Sequence, residues 1–116
     1  MQELPNVNQR IDAKMMAKAF KALSNPNRLI IYVEILKRHQ AELNQQCDGC
    51  LIADVMSSLQ IRAPTVSHHV KELVNADLIE VERQGKFVNC HINDEMLDLL
   101  QNFFAPESSG KLAAVN

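Results

Sequence analysis

From Ile11 onward, apolar residues return every three or four positions. Met15, Met16, Ala19, Phe20 and Leu23 share one face, and this spacing predicts a first helix over residues 11–24. Ser24-Asn25-Pro26 then stops one helix and starts the next. Asn25 can cap with its side chain, and Pro26 fits a first helical position, where no amide hydrogen is needed. The second helix is expected to reach His39 or Leu43 and to bury Leu29, Ile30, Val33, Ile35 and Leu36. The pattern breaks over Asn44 to Gly49. Leu51, Ile52, Val55, Met56 and Leu59 resume it as a short third helix. After a turn from Gln60 to Ala63, Pro64 opens a fourth helix with Val66, Val70, Leu73 and Val74 facing inward and Leu78 just beyond.

Beyond Leu78 the period changes from helical to alternating. Leu78 to Arg83 and Lys86 to Ile92 are β-rich runs around Gln84-Gly85, which predicts a hairpin, or wing. Asp94 is read as the cap of a last helix ending at residue 104. Its Met96, Leu97, Leu99, Leu100, Phe103 and Phe104 carry more apolar surface than a small domain hides. The expected fold is mainly α with a β-hairpin wing: four helices, two strands and a fifth helix, with a helix-turn-helix in the middle. The folded body is placed at residues 11–104, between a flexible arm (1–10) and a frayed tail (105–116). The surplus apolar surface is assigned to contact with a second copy, through Met15, Met16, Phe20, Met96, Leu99, Leu100 and Phe103.

Composition adds limits. A chain of 116 residues, 47% hydrophobic and 22% charged, fits one domain that folds in water. The longest uncharged apolar run, Leu29 to Val33, is far too short to span a bilayer, and MQELPNVNQR lacks the cationic-then-apolar order of a secretion signal, so the expectation is a cytoplasmic protein without a membrane partner. Three cysteines cannot all pair within one chain; they are read as reduced, ligating or reactive thiols. A net charge of −2 argues against a polyanionic partner until its distribution is considered. Residues 1–40 carry seven Lys/Arg against three acids, while residues 41–61 carry three acids and no Lys or Arg. Contact with nucleic acid must be local, and doubled by symmetry to be strong.

Three blocks resemble the ArsR/SmtB family of bacterial winged-helix metalloregulators: Phe20-Lys21-Ala22-Leu23-Ser24-Asn25-Pro26-Asn27-Arg28-Leu29, Pro64-Thr65-Val66-Ser67-His68-His69-Val70-Lys71-Glu72-Leu73, and Ala76-Asp77-Leu78-Ile79 followed by Arg83-Gln84-Gly85-Lys86-Phe87-Val88. The resemblance spans about residues 15–104. It implies a homodimeric repressor that leaves double-stranded operator DNA when an effector binds. Physical reasoning places Thr65, Ser67, His68 and Lys71 on the exposed side of the fourth helix, near the end that enters a major groove. Arg62 and the amides at the helix start suit phosphate, and Arg83 and Lys86 flank the hairpin turn within reach of a neighbouring groove or backbone. The plainer alternatives are first-turn residues of a surface helix and a solvated hairpin tip. His68 and His69 are adjacent and point to different sides, so they do not share a metal.

Cys47-Asp48-Gly49-Cys50 has the C-x-x-C spacing that takes one soft metal or closes a strained disulfide. The resemblance locates a C-x-C metal site at the start of the third helix, but those positions here are Leu51 and Ala53, with the thiols earlier. The family's other common site, on the last helix, keeps Asp94 but has Met96 in place of His, and is expected to be absent. Cys47 and Cys50 therefore stand as ligands of As(III), Cd(II) or Zn(II), as redox thiols, or as cysteines without a sensing role. Two donors complete neither a tetrahedral nor a trigonal site, so a third must come from Cys90 or the other subunit. Cys90 alternates with Val88 and Ile92, which reads as a structural core thiol. No catalysis is expected, since no Ser-His-acid order, phosphate-cradling Gly loop or H-E-x-x-H run is present. The rivals are a small C-x-x-C redox protein, which lacks its β-α-β setting, and a winged helix used purely for protein contacts.

Overall fold

The structure, a computed structural model, describes residues 7–44 and 50–105. Five helices and a hairpin follow in the order α1 (Val7–Leu23), α2 (Pro26–Leu43), α3 (Ile52–Leu59), α4 (Ala63–Asn75), β1 (Ile79–Gln84), β2 (Phe87–Ile92) and α5 (Asp94–Phe104). α1 begins at Val7, inside the stretch expected to be an arm; Gln9 and Arg10 are good helix formers and extend it toward the start of the chain. No described helix is long and apolar enough to cross a membrane.

Asn25 caps α2 as its sequence predicts: extended itself, it accepts a hydrogen bond from the Arg28 amide at 3.0 Å, an arrangement worth about 1 kcal/mol. The buried stripe of α2 differs from expectation. It consists of Ile31, Tyr32 and Ile35, while Leu29, Ile30 and Val33 are 43%, 47% and 39% exposed. At about 100° per residue, a run of five apolar residues covers more than a full turn and cannot reveal which side faces in. The polar residues do: Arg28 and His39, on the same stripe, reach toward other elements.

α3 ends on Gln60, whose left-handed backbone (φ 57°) turns the chain into α4. At the far end of α4, Asp77 takes the same conformation (φ 61°), with Asp77 N–H donating to Val74 O at 2.9 Å and Leu78 N–H to Leu73 O at 3.0 Å. This pair of bonds closes the helix and releases the chain straight into β1. The hairpin is antiparallel, with Ile79 opposite Ile92, Val81 opposite Cys90 and Arg83 opposite Val88, and Gly85 supplies the positive φ of its turn. An isolated antiparallel bridge between Leu51 and Asn89 adds the residues before α3 to the edge of β2.

Asn93, not Asp94, caps α5. Its side chain accepts from the Met96 amide at 3.2 Å, and its extended backbone is the one a cap requires. Asp94 is the first helical residue and lies 3.2 Å from His39 Nε2. Ile31, Ile35, Val55, Val66, Leu73, Leu78, Ile79 and Met96 are the largest fully buried side chains, drawn from α2, α3, α4, β1, α5 and the α4–β1 junction, so one core joins all layers. Met16, Met96 and Leu100 belong to that core at 4%, 2% and 8% exposure, and offer a second copy almost no surface. α1 packs on α5 within the chain and consumes them. Met15, Phe20 and Leu99 remain half-buried, and Phe103 is exposed. Phe20, Phe103 and Phe104 meet edge to face, with centroids 5.2, 5.7 and 5.3 Å apart.

Candidate nucleic-acid interface

α4 divides its residues between two sides. Val66 and Leu73 are wholly buried and Val70 nearly so, whereas Thr65, Ser67, His68 and Lys71 are exposed, as their spacing predicts. His69, next to exposed His68, turns inward at 6% exposure, and its Nδ1 accepts from Arg28 Nε at 3.4 Å. The same guanidinium donates through Nη1 to Ala22 O at 3.1 Å. Arg28 thus fastens α4 to the C-terminal turn of α1. Burial, then the charges of Arg28 and His68, hold the His69 imidazole below its ordinary pKa, so it serves as a neutral acceptor. Nothing in the α4 sequence names Arg28 as its partner; an Arg set three residues after a cap, at the turn between two helices, was the available signal.

At the start of α4, Arg62 is extended and exposed and makes no side-chain cap bond. The first turn is left to water or to an anion, with the positive end of the helix dipole behind it. Between α4 and the wing lies an open groove of about 300 Å³ lined by Ile52, Ser67, Val70, Lys71, Val74, Val81, Arg83 and Val88. It brings Ser67, Lys71 and Arg83 together from two elements. Strand alternation explains the sign of this face: Val81 and Arg83 point to the groove, while Glu80 and Glu82 point away, with Glu82 at 3.3 Å from His91. Lys86 is not part of the group. It sits in the turn with its Nζ 5.9 Å from the Phe87 ring centroid, and lines a smaller groove with Ile52 and Met56 of α3.

A protein of Staphylococcus xylosus named arsenical resistance operon repressor is 30% identical over 87 residues, covering 75% of this chain and 74% of its own. The transcriptional repressor SdpR of Bacillus subtilis is 31% identical over 83 residues, covering 71% and 80%. This chain belongs to the ArsR family. No protein-family model matches it. Among solved structures, the homodimeric winged helix-turn-helix DNA-binding domain of a Mycobacterium bovis protein superposes with a TM-score of 0.62 at 18% identity, covering 96% of this chain and 95% of that one. Like its relatives, this ArsR-family chain is a DNA-binding transcriptional regulator and not an enzyme, built as a winged helix-turn-helix.

The C-x-x-C reading of this ArsR-family chain rests on Cys47 and Cys50. Cys47 lies outside the described residues. Cys50 is buried at 3% exposure and faces Cys90, itself buried at 2%, and Cys90 N–H donates to Cys50 O at 2.7 Å. The neighbouring Cys90 side chain, aided by the Arg38 charge, draws the Cys50 thiol below its ordinary value against the effects of burial, Glu34 and Asp54. The same contact, with burial, pushes Cys90 up. No group of three His, Cys, Asp or Glu side chains able to hold a metal occurs among the described residues. On α5, Met96 is buried and Asp94 is engaged with His39, so that end of the family's metal chemistry has no donor set among the described residues. The donors described do not fit a metal ion.

Proposed function

We propose that this regulator is a homodimeric cytoplasmic repressor that reads operator DNA with Thr65, Ser67, His68 and Lys71 of α4 in the major groove, with Arg62, Arg83 and Lys86 on the flanking backbone. The observation that carries the reading is the groove where Ser67, Lys71 and Arg83 converge while the acids of β1 face away. Helix and wing present small donors and cations together on one side. Four Lys and Arg across residues 62–91 are few for one protomer, so affinity comes from two copies in successive grooves. The surface for pairing is the aromatic cluster of Phe20, Phe103 and Phe104 with Met15 and Leu99, since Phe103 and Phe104 are 54% and 66% exposed on a single chain. Release comes from chemistry at the cysteines. The S. xylosus relative's name points to an arsenical, but buried Cys50 has Cys90 beside it and no three-donor group among the described residues, which favours thiol chemistry over ligation.

The test is a gel shift of the reduced protein on DNA from its own upstream region against random duplex, at two salt concentrations, with sedimentation of the free protein. A dimer with preferential, salt-weakened binding is expected. A single subunit in solution, or equal affinity for both duplexes, overturns the reading.

A further inference from the structure

We propose that Cys50 and Cys90 form a reversible intramolecular disulfide when the protein meets a hydroperoxide, and that this cross-link lowers affinity for operator DNA; the second half rests on the repressor reading above. Cys50 and Cys90 lie directly opposite each other, next to the Leu51–Asn89 bridge and joined by the 2.7 Å backbone bond. In such a pair the Cα atoms stand about 5.5 Å apart, inside the range a disulfide spans. The two buried thiols are neighbours across this pairing, and no third donor is grouped with them among the described residues, so the pair suits a disulfide better than a metal.

The division of labour follows from the surroundings. Cys50, in the field of the Arg38 charge and on the segment joined to β2 by an isolated bridge, attacks first. Its sulfur takes the distal peroxide oxygen, the O–O bond breaks, and the alcohol leaves with a solvent proton, giving a sulfenic acid at Cys50. The Cys90 sulfur then attacks Cys50 sulfur, the S–S bond forms, the S–O bond breaks, and hydroxide leaves as water with the Cys90 proton. Overall, two thiols give up two electrons and two protons, and one hydroperoxide becomes alcohol and water. Both thiols are buried, so the reagent reaches them through local opening of the Cys50 segment, which is held at the sheet edge by an isolated bridge instead of a continuous ladder.

The cross-link would bear on DNA through what it joins. Cys50 leads directly into α3, and Cys90 sits in the wing strand paired with Val81. Directly opposite residues with a backbone bond hold their Cβ atoms wider than the roughly 3.8 Å of a disulfide, so closure pulls the start of α3 against β2. The strain also keeps the bond easy to reduce. Ile52 of α3 and Arg83 of the wing line the same groove as Ser67 and Lys71, so the movement reaches the side facing DNA.

The test treats reduced full-length protein with hydrogen peroxide. Non-reducing digestion and mass spectrometry read the cross-link, and a gel shift before and after dithiothreitol reads DNA affinity. Expected are a loss of two hydrogens mapped to Cys50–Cys90, the same product in Cys47→Ser, none in Cys50→Ser or Cys90→Ala, and at least fivefold weaker operator binding restored by reductant. A bond from Cys47 to either thiol, or no cross-link, overturns the site. A Cys50–Cys90 bond that leaves operator affinity unchanged overturns the regulatory half. Reduced protein that ignores operator DNA overturns the repressor reading and with it that half, while the mass measurement still decides the site. The wild-type mapping stands even if Cys90→Ala fails to fold.

Discussion

Arg28 donates its Nε–H to His69 Nδ1 across forty-one positions of sequence, and so ties α4 to the turn between α1 and α2. The bond needs a neutral imidazole, and both burial and the Arg28 charge keep it neutral. His69 therefore takes up a proton less readily in the folded protein than in the unfolded chain. Its contribution to stability is complete above the ordinary value of 6.5 and is lost as pH falls from there through the lowered value. Thermal unfolding between pH 8 and 5 should show a steeper fall for the wild type below pH 6.5 than for His69→Gln, which keeps an acceptor without titrating. Parallel curves would remove His69 from the account.

Ser67 and Arg83 line one groove but are expected to do different work on DNA. Arg83→Ala should weaken binding to every duplex alike. If each subunit loses one phosphate contact, the slope of log affinity against log salt falls by roughly 2. Ser67→Ala should leave that slope in place and narrow the preference for operator over random DNA, a loss of about 1–3 kcal/mol in discrimination. Titrations of both variants at three salt concentrations separate these outcomes.

The cap of α5 can be assigned by substitution. Asn93→Ala should cost about 1 kcal/mol in urea unfolding, because the Met96 amide loses its acceptor. Asp94→Asn removes an exposed charge from the His39 contact and should cost less than half of that. The reverse order would return the cap to Asp94.

Tyr32 is buried in α2 with its hydroxyl lacking a hydrogen-bond partner among the described residues, and burial raises its pKa. Tyr32→Phe deletes an unsatisfied polar atom and keeps the ring, so unfolding should show no loss and a gain of up to about 1 kcal/mol. A loss of more than 1 kcal/mol would mean that the hydroxyl has a partner outside those residues.

Much of this architecture could be read from the chain because its signals are local. Asn25-Pro26, the alternation from Ile79 to Ile92 around Gly85, and the four exposed positions of α4 each depend on neighbours a few residues away. The parts that could not be read depend on distant partners. Leu29, Ile30 and Val33 are as apolar as Ile31, and only the packing of α2 on α4 and β2 decides which of them enters the core. Met16, Met96 and Leu100 were legible as apolar but not as intramolecular, since α1 and α5 are at opposite ends of the chain. Cys50 looks toward Cys47 in sequence and toward Cys90 in space, because a bridge between residues 51 and 89 leaves no mark in either segment.

Asp77 occupies the single left-handed position between α4 and β1, and Leu78 is clasped on both sides, by Leu73 O and by the Asn93 amide at 3.1 Å. A junction this short has no slack. Helix α4 and the hairpin are thereby held as one lever, so a tug on either is conveyed to the other without a separate relay.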